Sequence, residues 1–251
     1  MKNNISVVIN TYNAEKYLAR VLETVKGFDE IVVCDMESTD NTHKICEQYG
    51  CKIVVFPKGD CKSAEPARTF AIQSASYDWV LVVDADELIT PELHDYLYDF
   101  IMRPGEVRGL YIPRKNYTMG RFLPSSYPDY QLRFFIREGT VWPPFVHTFP
   151  IIKGKLSYIN KKYEKLAIIH LDDNTNSYLR RLTNYTDNEL IKRKGQRATY
   201  FSIVFSPIVR FFKYFVLKGG FLYGVAGFVY AVRQASYKFT TLCKLYEMQH
   251  N

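Results

Sequence analysis

Four short runs of almost unbroken Val and Ile, "ISVVIN", "EIVVCD", "CKIVVF" and "WVLVVD", recur within the first hundred residues, separated by segments of helical spacing. Strands apolar on both faces must be covered on both faces, and helical crossovers between them place the covers. The pattern predicts a doubly wound, mostly parallel sheet between layers of helix. "AEKYLARVLETVKGF", "STDNTHKICEQYG" and "EPARTFAIQSAS" supply three of the helices. "TPELHDYLYDFIM" follows as a fourth, with Thr90 as N-cap and Pro91 in the first turn.

After Pro104 the texture changes. Aromatic, alternating pieces such as "GLYIPRKNYTM", "YQLRFFIREG" and "KLAIIHL" are separated by Pro, Gly and Asn, and they read as antiparallel strands and long loops. From Ser177 onward the spacing is helical again. A chain of 251 residues fits one large domain carrying an extension.

In an open parallel sheet, ligands bind at the carboxyl ends of the strands. Here the first strand ends in "NTYN", the second in Asp35, and the fourth in Asp84, Asp86 and Glu87. Like charges crowded at a strand end gain nothing by themselves, so a positive partner is expected. Asp84 and Asp86, two apart, can face one side and offer hard oxygen ligands to Mn²⁺ or Mg²⁺, which keep open positions for phosphate oxygens. For Glu87 a place as a solvated carboxylate before the next helix is credible, whereas for both aspartates that reading is weak. Asp35, ending "EIVVC", has no obvious structural duty.

Together "SVVINTYNAEKYL", "IVVCDMESTDNT" and "PARTFAIQSASYDWVLVVDADE" closely resemble glycosyltransferase family 2, inverting enzymes of the Rossmann-like GT-A fold that use nucleotide-diphosphate sugars. The resemblance is strong over residues 5 to 90. It implies that the D-x-D motif, Asp84 and Asp86, holds a metal on the donor diphosphate. It also puts Thr11 and Tyr12 around the nucleotide base and Asp35 at the base's imide edge. Arg68, in "PARTFAI", matches the family's "ARN" element near the nucleotide and phosphates. The chain reads "DMESTD" where the family has "DDGSTD", so Met36 and Glu37 replace an acid and a glycine. A UDP-sugar is the expected donor. On this reading residues 1–174 form the GT-A domain, with 1–103 as its nucleotide-sugar half and 104–174 as its acceptor half.

Inverting transfer needs a base to deprotonate the acceptor hydroxyl. "YPDYQLRFFIREGTVWPPFVHT" resembles the acceptor-side segment of a subgroup that includes lipopolysaccharide inner-core glucosyltransferases, where "RLF" is followed by "VHE". Thr148 replaces that glutamate and removes one candidate base. Asp129 becomes the first choice, because many family members place the catalytic Asp a few residues before the arginine-bearing segment. The structural alternative is a turn or N-cap after Pro128. His147 and His170 are the other candidates, although a lone His on an apolar strand is more often part of a core.

The net charge is +7, yet the segment from Thr175 to the end carries twelve Lys or Arg against three acids, leaving −2 on the rest. Within it "YFSIVFSPIVRFFKYFVLKGGFLYGVAGFVYAVRQASYKF" is very apolar but interrupted by Arg210, Lys213 and Lys218. Residues 175–251 are therefore expected to form helices lying in the interface of an anionic membrane, or packing as a bundle, rather than spanning the bilayer. Five cysteines without a C-x-x-C pair and a start, "MKNNISVVIN", without a long apolar core suggest the cytoplasm, which places the protein on the inner face of the cell membrane. No base-stacking or groove-reading motif supports a nucleic-acid partner. "NTYNAEKY" also lacks the Gly-rich phosphate loop of a nucleotidylyltransferase. The sequence thus reads as a metal-dependent transferase acting on a glycan or glycolipid acceptor.

Overall fold

The computed structural model describes residues 4–61, 63–103, 105–144, 148–171, 175–193 and 195–250. In chain order the first part runs β1 (Ile5–Thr11), α1 (Glu15–Val25), β2 (Glu30–Asp35), α2 (Thr42–Gln48), β3 (Lys52–Val55), α3 (Glu65–Gln73), β4 (Trp79–Asp84), β5 (Glu87–Leu88) and α4 (Pro91–Met102). There follow β6 (Val107–Thr118), β7 (Arg121–Phe122), β8 (Asp129–Ile136), β9 (Lys155–Tyr158) and β10 (Ile168–His170). The chain closes with α5 (Thr175–Lys192), α6 (Tyr200–Phe212) and α7 (Gly224–His250).

The sheet order is β3-β2-β1-β4-β8-β6-β10-β5, with β7 and β9 also pairing with β6. β1 is parallel to both β2 and β4, so the strand order reverses at β1 and opens a crevice at the strand ends. Register fixes what meets there: Thr11 is opposite Asp35, and Asn10 is opposite Asp84. Past β4 the sheet turns antiparallel through β8 and β6, as the alternating texture predicts. β9 departs from that expectation by running parallel to β6.

Helical spacing explains the layers. Leu18, Val21, Leu22 and Val25 share one face of α1 and are fully buried, packing with Leu93 and Leu97 of α4 against Val7, Ile9 and Leu81 of the sheet. Ala67, Ala71 and Ile72 of α3 cover the other face with Val8, Val82 and Trp142. Each such Leu, Val or Ile contributes roughly 1.5–3 kcal/mol by leaving water. The Thr90 cap is present, its hydroxyl accepting the Leu93 N–H at 3.1 Å.

The contacts divide the chain into two compact units. One draws on residues within 1–115 and 128–171, the other on residues within 116–127 and 172–251. Residues within 116–127 cluster with those of the C-terminal helices. In this second unit α7 packs against α5 and α6 around a small core of Ala198, Leu242 and Leu245. Gly220, in the turn before α7, lies so close to Gly227 that a Cβ on Gly227 would sit 1.8 Å from the Gly220 carbonyl oxygen.

Candidate active site

The positive charge missing from "VVDADE" comes from three arginines on three different elements. Arg68 of α3 donates to Asp84 Oδ1 at 2.8 Å, and Arg133 of β8 donates to Asp84 Oδ2. Arg133 also approaches Glu87 at 3.4 Å, and Arg114 of β6 donates to the same Glu87 oxygen at 2.8 Å. Arg114 continues to Asp129, placing Nε at 3.0 Å and Nη2 at 2.7 Å from Oδ2. Burial alone would push the Asp84 carboxyl up, but Arg133 and Arg68 outweigh it and hold the group well below the usual carboxylate range.

Glu87 corrects the sequence reading. It is fully buried, accepts the Asp84 backbone N–H at 3.0 Å, and lies in β5 between two guanidiniums. A buried carboxylate needs such partners, and here it ties the D-x-D strand to β6 and β8. Sequence reasoning missed Arg114 and Trp142. Trp142 lies under Arg68, with the guanidinium 4.6 Å from the ring centroid, and no local pattern announces that contact.

The two aspartates of the motif have different partners. Asp86 faces His170, whose Nε2 is 3.4 Å from Oδ2, and both side chains are partly exposed. Among the described residues no cluster of three or more His, Cys, Asp or Glu is arranged to hold a metal ion. The donor chemistry of the Asp86–His170 pair nevertheless suits a divalent cation, and a carboxylate with an imidazole fits Mn²⁺ better than Mg²⁺. Around Asp84, both Asn10 amide atoms, Nε and Nη1 of Arg68, and Nε and Nη1 of Arg133 are buried without a hydrogen-bond partner. Orphaned donors of this kind are matched by an anionic ligand.

At the neighbouring strand ends Asp35 has a structural duty after all. Its carboxylate accepts from Thr11 Oγ1 at 2.9 Å, from Ser38 N at 2.8 Å and Oγ at 2.5 Å, and meets His43 Nε2 at 2.8 Å. Burial opposes ionisation, but the bonds from Ser38, His43 and Thr11 prevail and keep the carboxyl below its ordinary range. Tyr12 is half exposed with the Lys58 ammonium 4.7 Å from its ring centroid, so it is not a packed core aromatic. Met36 fits its acid position because the side chain is buried in the core. Glu37, at the glycine position, holds a left-handed φ of 61° and accepts the Lys58 N–H at 3.1 Å.

The structure thus brings Arg68, Asp84 and Asp129 into one ion network and joins Thr11 to Asp35. His147 lies outside the described residues.

A parallel sheet reversing at β1, with acids and buried arginines gathered at its strand ends, defines a transferase of the GT-A type. The chain belongs to glycosyl transferase family 2, whose family model matches residues 6–156. It is 30% identical to an uncharacterised glycosyltransferase of Rickettsia conorii, over 98% of this chain and 91% of that one. It is 24% identical to the lipopolysaccharide core biosynthesis glycosyltransferase LpsC of Rhizobium meliloti, over 97% and 92%. Among solved structures, it resembles the mannosyltransferase PcManGT of Pyrobaculum calidifontis in complex with GDP-Man and Mn²⁺, with a TM-score of 0.58, 12% identity and coverage of 99% and 88%. Staphylococcus aureus TarS 1-349 gives a TM-score of 0.51 at 17% identity, over 98% and 91%.

Proposed function

We propose that the protein transfers a sugar, with inversion, from a nucleotide-diphosphate donor, most simply a UDP-sugar, to a lipid-linked or lipopolysaccharide glycan. The observation that carries this reading is the strand-end network in which Asp84, two residues before the Asp86–His170 pair, is held by Arg68 and Arg133, each of which keeps buried donors without a hydrogen-bond partner. The pair would hold the metal, with Asp84 ordering the arginines behind it. When bound, a divalent cation would neutralise the diphosphate leaving group. Arg68 and Arg133 would donate to the phosphates, Thr11 and Tyr12 would flank the base, and Asp35 would hold Thr11, Ser38 and His43 in place around it. Asp129, fixed by Arg114 and by a 2.9 Å bond from Gln131, would accept the acceptor's proton.

The second unit would place this chemistry at an anionic membrane on the cytoplasmic side. Tyr200–Leu217 is long and apolar enough to cross a bilayer by length and composition. Its Arg210 and Lys213 would each cost about 2.5–3.5 kcal/mol at mid-bilayer, which favours a helix lying in the interface. Phe201, Phe212, Leu217 and Leu222 are all more than half exposed, as that position requires. Similarity to LpsC supports a cell-envelope glycan as acceptor. The test is release of free sugar and nucleoside diphosphate from a panel of nucleotide sugars, with Mn²⁺, with Mg²⁺ and with chelator. Equal inertness of every donor in the presence of both metals would sink the reading.

A further inference from the structure

A pocket of about 440 Å³ opens in the helical unit, bounded by α6, the π-helical turn Lys213–Leu217 and α7. Its lining has two parts. Arg210, Lys213 and Lys238 supply three cationic groups, while Phe205, Val209 and Tyr214 supply apolar wall. The charge is not balanced from within. Arg210 spends Nη2 on Gln234 Oε1, a neutral partner at 3.0 Å, and its Nε is buried with no hydrogen-bond partner at all. Glu189, the acid close to this group, is already held by Arg193 at 2.9 Å. Burial, followed by repulsion from Arg193 and Arg210, holds the Lys238 ammonium below the usual lysine range. Beyond Gln234 the Arg210 guanidinium faces the rings of Tyr214 and Tyr237, 6.0 and 5.9 Å from their centroids, so an anion among the three basic side chains would supply a charged partner.

The rim says what kind of anion. Phe205 and Val209 are 55% and 66% exposed, and they continue into the uncovered apolar face of α6. A cationic floor beside an exposed apolar rim fits an amphiphile and not a free ion. We propose that this pocket binds the phosphate of an anionic lipid, with Arg210, Lys213 and Lys238 around the phosphate and Phe205 and Val209 against the acyl chain. The proposal rests on the membrane reading above and narrows it from a charged surface to one built site.

Binding of soluble dihexanoyl phosphatidic acid and of inorganic phosphate to the full chain, measured by calorimetry, tests it alongside flotation with phosphatidylcholine vesicles containing phosphatidic acid. The wild type is expected to bind the short-chain lipid at least about tenfold more tightly than phosphate. Lys238→Gln and Arg210→Lys should each weaken lipid binding by about tenfold, the cost of a charge-assisted bond. Arg197→Gln removes the same charge from an exposed position outside the pocket and should change it little. If R197Q and K238Q lose vesicle binding equally, only general attraction operates and the pocket is overturned. If phosphate binds as tightly as the lipid, the occupant is a small anion. Failure of the wild type to float with any anionic vesicle would defeat the membrane reading itself, whereas full flotation of K238Q would defeat the pocket alone.

Discussion

His170 Nε2 lies 3.4 Å from Asp86 Oδ2, because β10 pairs antiparallel with β5 and sets His170 opposite Glu87, one residue beyond the aspartate. The contact joins residues 84 positions apart through the sheet edge. If the pair holds the ion as proposed, replacing either side chain by Ala should weaken Mn²⁺ binding by at least about tenfold. Mn²⁺ electron paramagnetic resonance, which needs no turnover, reads this directly. Wild-type affinity in H170A together with none in D84A would move the ion onto Asp84.

Asp129→Asn should lower turnover by about 10²–10⁴-fold with little change in donor affinity, because proton removal is lost while the side chain keeps its shape. Arg114 retains Glu87 as a partner, so the strand ends should hold together. Steady-state kinetics over a range of donor concentrations separate the two effects. Normal turnover in D129N with a dead His147→Ala would assign the base to the other residue.

Asp35 makes stability depend on acid. Its folded pKa is below the unfolded value of about 3.9, so at low pH the unfolded chain binds the proton more readily. The stabilisation is present above that unfolded value and is lost as pH falls toward the folded pKa. Urea unfolding between pH 7 and pH 3 should show a declining limb that is flatter in Asp35→Asn, which should also be less stable at pH 7. Parallel limbs in the two proteins would show that Asp35 titrates alike in both states.

Gly227→Ala should destabilise the helical unit by about 1–3 kcal/mol, because the new methyl would meet the Gly220 carbonyl with no flexible side chain to yield. Circular dichroism during thermal unfolding is the measurement. An unchanged transition would mean that the two backbones separate freely.

Leu217 and Leu222 are 82% and 71% exposed at the turn between α6 and α7. Changing both to Ser should reduce vesicle binding at low and high salt alike, since apolar burial is not screened. A loss confined to low salt would contradict an apolar contribution from this turn.

Much of the fold was legible because it is written in local patterns. Strands apolar on both faces, the Thr90 cap and the helical faces of α1 and α3 each need only a few neighbouring residues to be read. The D-x-D motif was legible as a charge anomaly at the end of β4. What completes it was not, because Arg114 and Arg133 arrive from antiparallel strands 27 and 46 residues beyond Glu87. Glu87 looked like a solvated acid for the same reason: nothing in "DADELIT" tells which distant cation will cover it. Asp35 shows the opposite error, since Thr11 faces it in the strand register and Ser38 and His43 follow it closely in the chain, yet their shared hold on one carboxylate is set by the fold of the loop after β2.

The glycine contact in the helical unit bears on time as well as on stability. With Gly220 set against Gly227, and a Cβ on Gly220 only 2.6 Å from the Tyr214 carbonyl oxygen, backbone rests on backbone and the turn has little room to bend. On the membrane reading proposed above, the side chains carried on it would leave a surface together, and detachment would be a single all-or-none event. Residence on a bilayer would then lengthen multiplicatively with each added apolar group, and a small change at this turn could shift the enzyme between brief visits and prolonged lodging while its equilibrium fold stays the same.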